Sequence, residues 1–136
     1  MRLLQLREFQ PDDYPIVAGW WSAYGWSAVP YAILPKLGVV GTLGHEPAAA
    51  GWLYMDNSVG VCMLEWLVTN PYCTGKESLR VINAITEHMK SVALSMNYGV
   101  MLTTCRQPSL ARVHERNGFI KTDEGMIHLV RILEEE

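Results

Sequence analysis

Glu65 is the acidic side chain whose surroundings point most directly to chemistry. It lies inside the apolar run 59–69, which we expect to form a strand with apolar side chains on both faces. Alternation along that strand places Glu65 on the same face as Leu67, with Leu64 and Trp66 on the opposite face. A carboxylate there needs a partner or a water-filled cleft, and burial raises its pKa toward that of a general base. A structural carboxylate at an opening of the sheet, or one paired with an arginine, fits the pattern equally well.

The stretch from Thr74 to Ser78 joins that strand to a long helical pattern. A helix start presents free backbone N–H groups and a partial positive charge, which together suit a pyrophosphate. Gly75 would let the backbone approach a phosphate closely, and Lys76 adds a positive charge. Thr74 and Glu77 also have the spacing of a capping box, so an ordinary capped helix explains the same residues.

His114 is the second titratable candidate. It falls on one side of a later helical segment together with Leu110 and Val113. Gly118 is predicted to end that helix, with Phe119 behind it as the hydrophobic contact of a C-terminal cap. Histidine titrates near neutrality, so it could donate a proton in a reaction. A lone histidine at the edge of an apolar stripe is more often a packing residue. The four histidines do not have the spacing of metal ligands.

Aromatic residues cluster between positions 20 and 31. Most of them are expected in the core. Trp26 and Tyr31 instead fall in the Pro-containing segment 26–36, where large rings often line a binding cleft. With Tyr54 from a later strand, they are the predicted substrate-binding residues.

The elements that must position these side chains follow from hydrophobic periodicity and breakers. We predict strands at 2–8, 37–43, 49–55, 59–69, 100–105, 120–122 and 126–133, and helices at 11–24, 78–96 and 108–117. In the central helix, Leu79, Ile82, Ile85, Met89, Val92 and Met96 make one core-facing stripe. The order predicts an α/β fold with three α/β/α layers around a mixed sheet, in a single domain spanning 1–136.

Composition narrows the classes of function. Nearly half of the residues (49%) are hydrophobic and 18% are charged, which is the balance of a folded domain. The net charge of −3 argues against nucleic acid or an anionic membrane as a partner. The three cysteines lack CxxC spacing, and no signal peptide or membrane span is apparent, so we expect a cytoplasmic protein with reduced thiols.

The element order and three local patterns resemble the GNAT N-acetyltransferase superfamily, over nearly the whole chain. The segment 6–13, Leu-Arg-Glu-Phe-Gln-Pro-Asp-Asp, resembles the first strand and helix start of that family, and 65–78 resembles its acetyl-CoA segment. The segment 114–119, His-Glu-Arg-Asn-Gly-Phe, resembles its Tyr-Glu-Lys/Arg-x-Gly-Phe ending. Short phage or bacterial members share the Trp20-Trp21 pair.

The resemblance implies acetyl-CoA as co-substrate, held against a splayed fourth strand. Glu65 falls near the general base of many members, and His114 takes the place of a tyrosine that acts as general acid. One departure is the pyrophosphate loop, where Gly75 is kept but Glu77 brings a negative charge. The implied acetyl-CoA residues are Leu67, Val68, Thr69, Thr74, Gly75, Lys76, Glu77, Ser78, Leu79 and Gln107.

The function implied is transfer of an acetyl group to an amine by direct attack, on an acceptor that is either a small molecule or a protein. The alternative is a GNAT-fold module that binds CoA or a protein partner without turnover, or a phage-type modulator of a host factor. The resemblance also allows a homodimer.

Overall fold

The computed structural model describes residues 2–134, which form five strands and three helices. Two short 3-10 turns lie at Pro11–Asp13 and Tyr31–Ile33. The elements in chain order are β1 (Leu4–Glu8), α1 (Tyr14–Ala23), β2 (Gly38–Leu43), β3 (Glu46–Met55), β4 (Val61–Thr69), α2 (Gly75–Ser95), β5 (Val100–Thr103) and α3 (Pro108–Arg116).

The strands form one sheet in the order β1-β2-β3-β4-β5. The first four strands are antiparallel neighbours, and β5 joins parallel to β4. A parallel neighbour needs a crossover, and α2 provides it. A tight turn at Gly44, whose φ is +62°, joins β2 to β3. The mixed sheet predicted from the sequence is therefore confirmed.

Two apolar cores lie on opposite faces of the sheet. On one face, α2 packs Val81, Ile85 and Met89 against the strands. On the other face, α1 packs Trp21 against Trp52, with ring centroids 5.7 Å apart. The three-layer α/β/α arrangement is thereby confirmed, and both cores border β4, which carries the candidate site.

Helix α2 begins three residues earlier than its apolar stripe suggested, because the capping box starts it at Gly75. Ile82, Ile85 and Met89 are buried as predicted. Met96 is 50% exposed, so the prediction that it belongs to the core-facing stripe was wrong. The buried row is completed by Val81 and Ala93, so that residues 81, 85, 89 and 93 follow one another at a spacing of four along the helix.

The two final strands predicted at 120–122 and 126–133 are wrong. Within the described part of the chain, no residue after Arg116 belongs to a helix or strand. Seven large apolar side chains of this segment are at least 65% exposed: Ile120, Met126, Ile127, Leu129, Val130, Ile132 and Leu133. Apolar composition reports what a segment could bury, but a strand also needs a backbone partner, and β5 ends the sheet.

None of the helices within residues 2–134 is long and apolar enough to cross a membrane. In the same range, Cys62, Cys73 and Cys105 carry free thiols.

Candidate functional site

The sheet opens between β4 and β5. The two strands pair only from Val61, opposite Val100, to Leu64, opposite Thr103. Beyond Leu64, β4 continues to Thr69 without a β5 partner on that side. The backbone of residues 65–69 is therefore free to hydrogen-bond with something else along this edge.

A β-bulge marks the point where the strands part. The register with β3 shifts between Ala50 and Trp52, and Trp66 lies in the left-handed region with φ of +62°. A non-glycine residue in this region costs about 1–3 kcal/mol, so it persists only where its surroundings hold it. Here the indole N–H of Trp66 donates to the Tyr54 hydroxyl at 2.8 Å. The bulge bends β4 away from β5 and opens the cleft.

The same bulge overturns the predicted alternation along β4. Leu67 packs with Leu64 in the core under α2, whereas Trp66 packs with the core under α1. Two residues of β4 face one residue of β3 at the bulge, so every side chain after it changes face. The sequence prediction that Leu67 shares the face of Glu65, and Trp66 that of Leu64, was wrong.

A cleft of about 230 Å³ lies between the free part of β4, the start of α2 and α3. Most of the residues predicted to hold acetyl-CoA line it, together with the predicted substrate residue Trp26. The lining residues are Tyr24, Trp26, Leu67, Val68, Thr69, Gly75, Ser78, Leu79, Ile82, Gln107, Ser109, Leu110 and Val113. A larger open depression of about 460 Å³ lies over β1 and β2 at the other edge of the sheet, away from the unpaired part of β4.

The other predicted binding residues lie outside this lining. Tyr31 is 51% exposed and packs edge-on against Tyr14. The Tyr54 hydroxyl donates to the backbone carbonyl of Ile33 and accepts from Trp66, so it holds the fold together near the bulge.

The helix start carries both features that the sequence suggested. The capping box is formed: the N–H of Glu77 donates to Thr74 Oγ1 at 3.1 Å, and the N–H of Thr74 donates to Glu77 Oε1 at 2.9 Å. Gly75 lines the cleft beside it, with open space where a Cβ would stand. The cap takes up the N–H of Glu77, so the N–H groups of Gly75 and Lys76 are the ones left for an anion at this end.

Glu77 brings a negative charge to that end, where it is paired with Arg2. Its Oε2 accepts a hydrogen bond from Arg2, which also pairs with Glu46. The hydrogen bond from the Thr74 backbone, and then that from Arg2, lower the pKa of the Glu77 carboxyl. A charge compensated by Arg2 repels a diphosphate less than a free one would. Lys76, on the first turn, lies outside the cleft lining.

Glu65 is buried, with 7% exposure, just before the bulge. It lies where the sheet opens, as one of the alternatives had it, but its partner is not an arginine: the hydroxyl of Thr104 donates to Glu65 Oε2 at 2.6 Å. Burial raises the pKa of Glu65, and the Thr104 hydroxyl and the nearby His128 offset part of that rise. Glu65 lies outside the cleft lining, two residues along β4 from the lining residue Leu67.

His114 is 3% exposed, and neither ring nitrogen has a hydrogen-bonding partner among residues 2–134. Its ring packs edge-on against Phe119, with centroids 5.2 Å apart. Burial lowers the pKa of His114, which favours the neutral ring. Gly118, with φ of +95°, ends α3 in a Schellman motif that brings Phe119 onto this ring, as the sequence pattern predicted. Its role as an acid stays a prediction.

One wall of the cleft is an aromatic stack that sequence reasoning only partly anticipated. The rings of Tyr24 and Trp26 stack at 4.8 Å, and the guanidinium of Arg106 lies 5.2 Å from the centre of the Trp26 ring. The Tyr24 hydroxyl and Thr69 Oγ1 are 2.7 Å apart, which ties α1 to the free end of β4. Tyr24 was expected in the core; its position just before the helix-ending Gly25 was the available signal.

Comparisons with known proteins agree on the fold. No family model matches the chain, and no curated protein matches its sequence. Among solved structures, a transcriptional regulator from Bacillus halodurans C-125 aligns with a TM-score of 0.72 and 14% identity, covering 94% of this chain and all of that one. An acetyltransferase from Trypanosoma brucei aligns with a TM-score of 0.63 and 15% identity, covering 94% of this chain and all of that one.

N-acetylglutamate synthase from Neisseria gonorrhoeae, solved with coenzyme A and L-arginine, aligns with a TM-score of 0.62 and 10% identity. The match covers 95% of this chain and 30% of the synthase. At such identities these likenesses establish architecture and leave the activity and the substrate open. With the splayed β4, the crossover α2 and the matching solved structures, the chain has the GNAT fold.

Proposed function

We propose that this protein is an acetyl-CoA-dependent N-acetyltransferase. The observation that carries the proposal is the cleft itself, where the unpaired part of β4 meets the N-terminal turn of α2. The two elements would bind different parts of acetyl-CoA. The free backbone of β4 would hydrogen-bond with the amides of the pantetheine arm, and the positive N-terminal end of α2 would bind the pyrophosphate. The coenzyme A bound in the structure of N-acetylglutamate synthase from Neisseria gonorrhoeae supports the choice of ligand.

The residues around the cleft fit this co-substrate. Leu67, Val68 and Thr69 supply backbone along the free edge, and Gly75 and Ser78 lie at the helix end. Gln107 lines the cleft at the start of α3. The one unfavourable charge, on Glu77, is paired with Arg2.

In the proposed reaction, Glu65 removes a proton from the acceptor amine through a water molecule, because this residue lies outside the cleft lining. The nitrogen attacks the thioester carbonyl, and the carbon–sulfur bond breaks. A backbone N–H of the free part of β4 stabilises the oxygen that becomes negative during the attack. A raised pKa makes the Glu65 carboxylate a stronger base, provided that the pH keeps it ionised.

His114 is the proposed proton donor to the departing thiolate, next along α3 from the cleft residue Val113. Because burial lowers its pKa, the imidazolium is a stronger acid but a rarer form at neutral pH. Its contribution to the rate should therefore grow as the pH falls.

An assay of thiol release from acetyl-CoA over a panel of amines tests the proposal. The panel should hold polyamines, lysine peptides, aminoglycosides and apolar amines, since the acidic chain favours cationic acceptors and the Tyr24–Trp26 wall favours apolar ones. Amine-dependent thiol release, with a matching acetylated product by mass spectrometry, is the expected result. Acetyl-CoA left unchanged by every amine would contradict it.

A binding module without turnover is the second candidate. The observation that favours it is His114, whose ring nitrogens are buried without hydrogen-bonding partners within residues 2–134. Such a module would bind acetyl-CoA in the same cleft and leave the thioester intact with every amine.

A further inference from the structure

A single hydroxyl links the buried Glu65 to an exposed histidine. Thr104 Oγ1 lies 2.6 Å from Glu65 Oε2 and 3.2 Å from His128 Nε2. Glu65 is 7% exposed, whereas His128 lies on the exposed segment after α3. The three side chains come from β4, from the residue after β5 and from the C-terminal segment, and they meet where the sheet opens.

Contacts on both sides hold the histidine in place. Its ring packs against Trp66 with centroids 5.5 Å apart. Trp66 is the bulge residue and is itself fixed by its hydrogen bond to Tyr54. The position of His128 is therefore tied to the same distortion that separates β4 from β5.

A buried base needs a route for its proton. After each turnover Glu65 must return to the carboxylate, and only a small part of its surface meets solvent. Tyr54 and Cys105, whose pKa values respond to the charge of Glu65, are poor proton carriers at neutral pH. Burial raises both pKa values further above neutrality, and the negative charge of Glu65 adds to that rise. A histidine is the side chain that gains and loses protons in that range.

We infer that Thr104 and His128 form a path that carries the proton taken up by Glu65 out to solvent. The inference rests on the proposed function. Both residues act on the reaction only through Glu65, whose proton they guide, and they do not touch the substrate. They are therefore positioning residues.

The step balances without any added reagent. In the resting state the Thr104 hydroxyl donates to the Glu65 carboxylate. Once Glu65 holds the proton from the amine, its O–H donates to Thr104 Oγ1, and the threonine proton passes to the unprotonated Nε2 of His128. The imidazolium then releases one proton to water, which restores the carboxylate, the hydroxyl and the neutral ring.

The test compares His128→Gln, Thr104→Val and Thr104→Ser with the wild-type protein and Glu65→Gln, using the best amine from the panel. We expect His128→Gln and Thr104→Val to lower kcat about 10-fold near neutral pH, less than the 10²–10⁴-fold typical of losing the base itself, because water can partly replace the path. The KM for acetyl-CoA should not change. Thr104→Ser should restore kcat, and added imidazole should rescue His128→Gln, because His128 is exposed.

The pH profile separates this path from a merely structural role. Because Glu65 must be ionised to act as the base, kcat of the wild type should rise with pH as this carboxyl loses its proton. Loss of packing would lower kcat equally at every pH, whereas loss of the path should flatten that rise. Carboxyl ¹³C NMR of Glu65 gives a second measurement that needs no turnover. Thr104→Val should raise the pKa of Glu65, because the hydrogen bond from the threonine lowers it in the wild type. His128→Gln should raise it where the histidine ring carries a positive charge, because that charge lowers it.

If His128→Gln and Thr104→Val both keep the wild-type kcat, pH profile and Glu65 pKa while Glu65→Gln is inactive, the path is overturned and the proposed function stands. A wild-type protein without turnover would overturn the proposed function and, with it, the path. Thermal unfolding of each variant checks that a loss of rate is not a loss of fold.

Discussion

The two halves of β4 have the same apolar character but different partners. Residues 61–64 hydrogen-bond to β3 on one side and to β5 on the other, and Leu64 is fully buried between them. Residues 65–69 keep β3 but lose β5, and Leu67, Val68 and Thr69 of this half line the cleft instead. The first half stabilises the sheet, and the second half presents free backbone and a buried base. One bulged residue, Trp66, separates the two roles.

The largest effect should come from the base in the second half. Glu65→Gln removes the proton acceptor but keeps the shape and the hydrogen bond from Thr104. We expect kcat to fall by about 10²–10⁴-fold near neutral pH. The pH dependence of kcat should lose the limb that reports ionisation of Glu65. A variant that keeps the wild-type pH–rate profile would show that Glu65 is not the base.

The second largest effect should come from the first half. Leu64→Ala opens a cavity in a fully buried site and should lower the free energy of unfolding by about 2–5 kcal/mol. The matched variant Leu67→Ala, on the half-buried cleft side, should cost less stability and weaken acetyl-CoA binding more. Urea unfolding and calorimetry measure the two quantities. Equal losses of stability in both variants would remove the distinction between the halves.

The burial of Glu65 should also appear in the pH dependence of stability. Its raised pKa means that the folded state holds this proton more tightly than the unfolded state. Stability from this group is therefore greatest at low pH, and it is lost as the pH rises from the ordinary carboxyl pKa near 4.5 through the raised folded value. Glu65→Gln should lack that loss, so its advantage over the wild type should grow across this window in urea unfolding. An advantage that is constant with pH would contradict the burial.

The smallest effect should come from the ion pair at the helix start. Arg2→Ala should change stability little, because the pair with Glu77 is exposed. It should weaken acetyl-CoA binding by a few fold, most clearly at low salt, because Glu77 is then uncompensated beside the cleft. The double variant Arg2→Ala with Glu77→Gln should regain the affinity for acetyl-CoA. If the double variant binds acetyl-CoA as weakly as Arg2→Ala does, the charges of Arg2 and Glu77 do not act on this site.

Local patterns in the sequence predicted local structure well. The capping box of Thr74 and Glu77 and the Gly118–Phe119 helix end each depend on contacts within five residues, and both are present. The order of the first five strands and of the three helices also followed from periodicity. These features depend on the chain near them, so a single sequence carries the information.

What the sequence could not predict depends on distant partners. The bulge at Trp66 comes from the way β4 meets β3 and β5, and alternation alone cannot reveal it. Thr104 and His128 lie 39 and 63 positions from Glu65 in the chain, so nothing local linked them to it. The apolar segment after α3 was predicted as strand because composition does not say whether a partner edge will accept it.

The central claim is that the cleft beside the free half of β4 holds acetyl-CoA, and thermal unfolding tests it most directly. Ligand at about 100 times its dissociation constant should stabilise the wild type by about 2.7 kcal/mol, or a rise of about 9 °C in Tm. Ser78→Glu puts a negative charge into the cleft at a helix position that favours acidic residues, so the fold should survive while most of the rise is lost. Ser91→Glu, exposed on the same helix about 20 Å away, is the matched control and should keep the full rise. No rise in the wild type, or the same rise in Ser78→Glu as in Ser91→Glu, would contradict the claim.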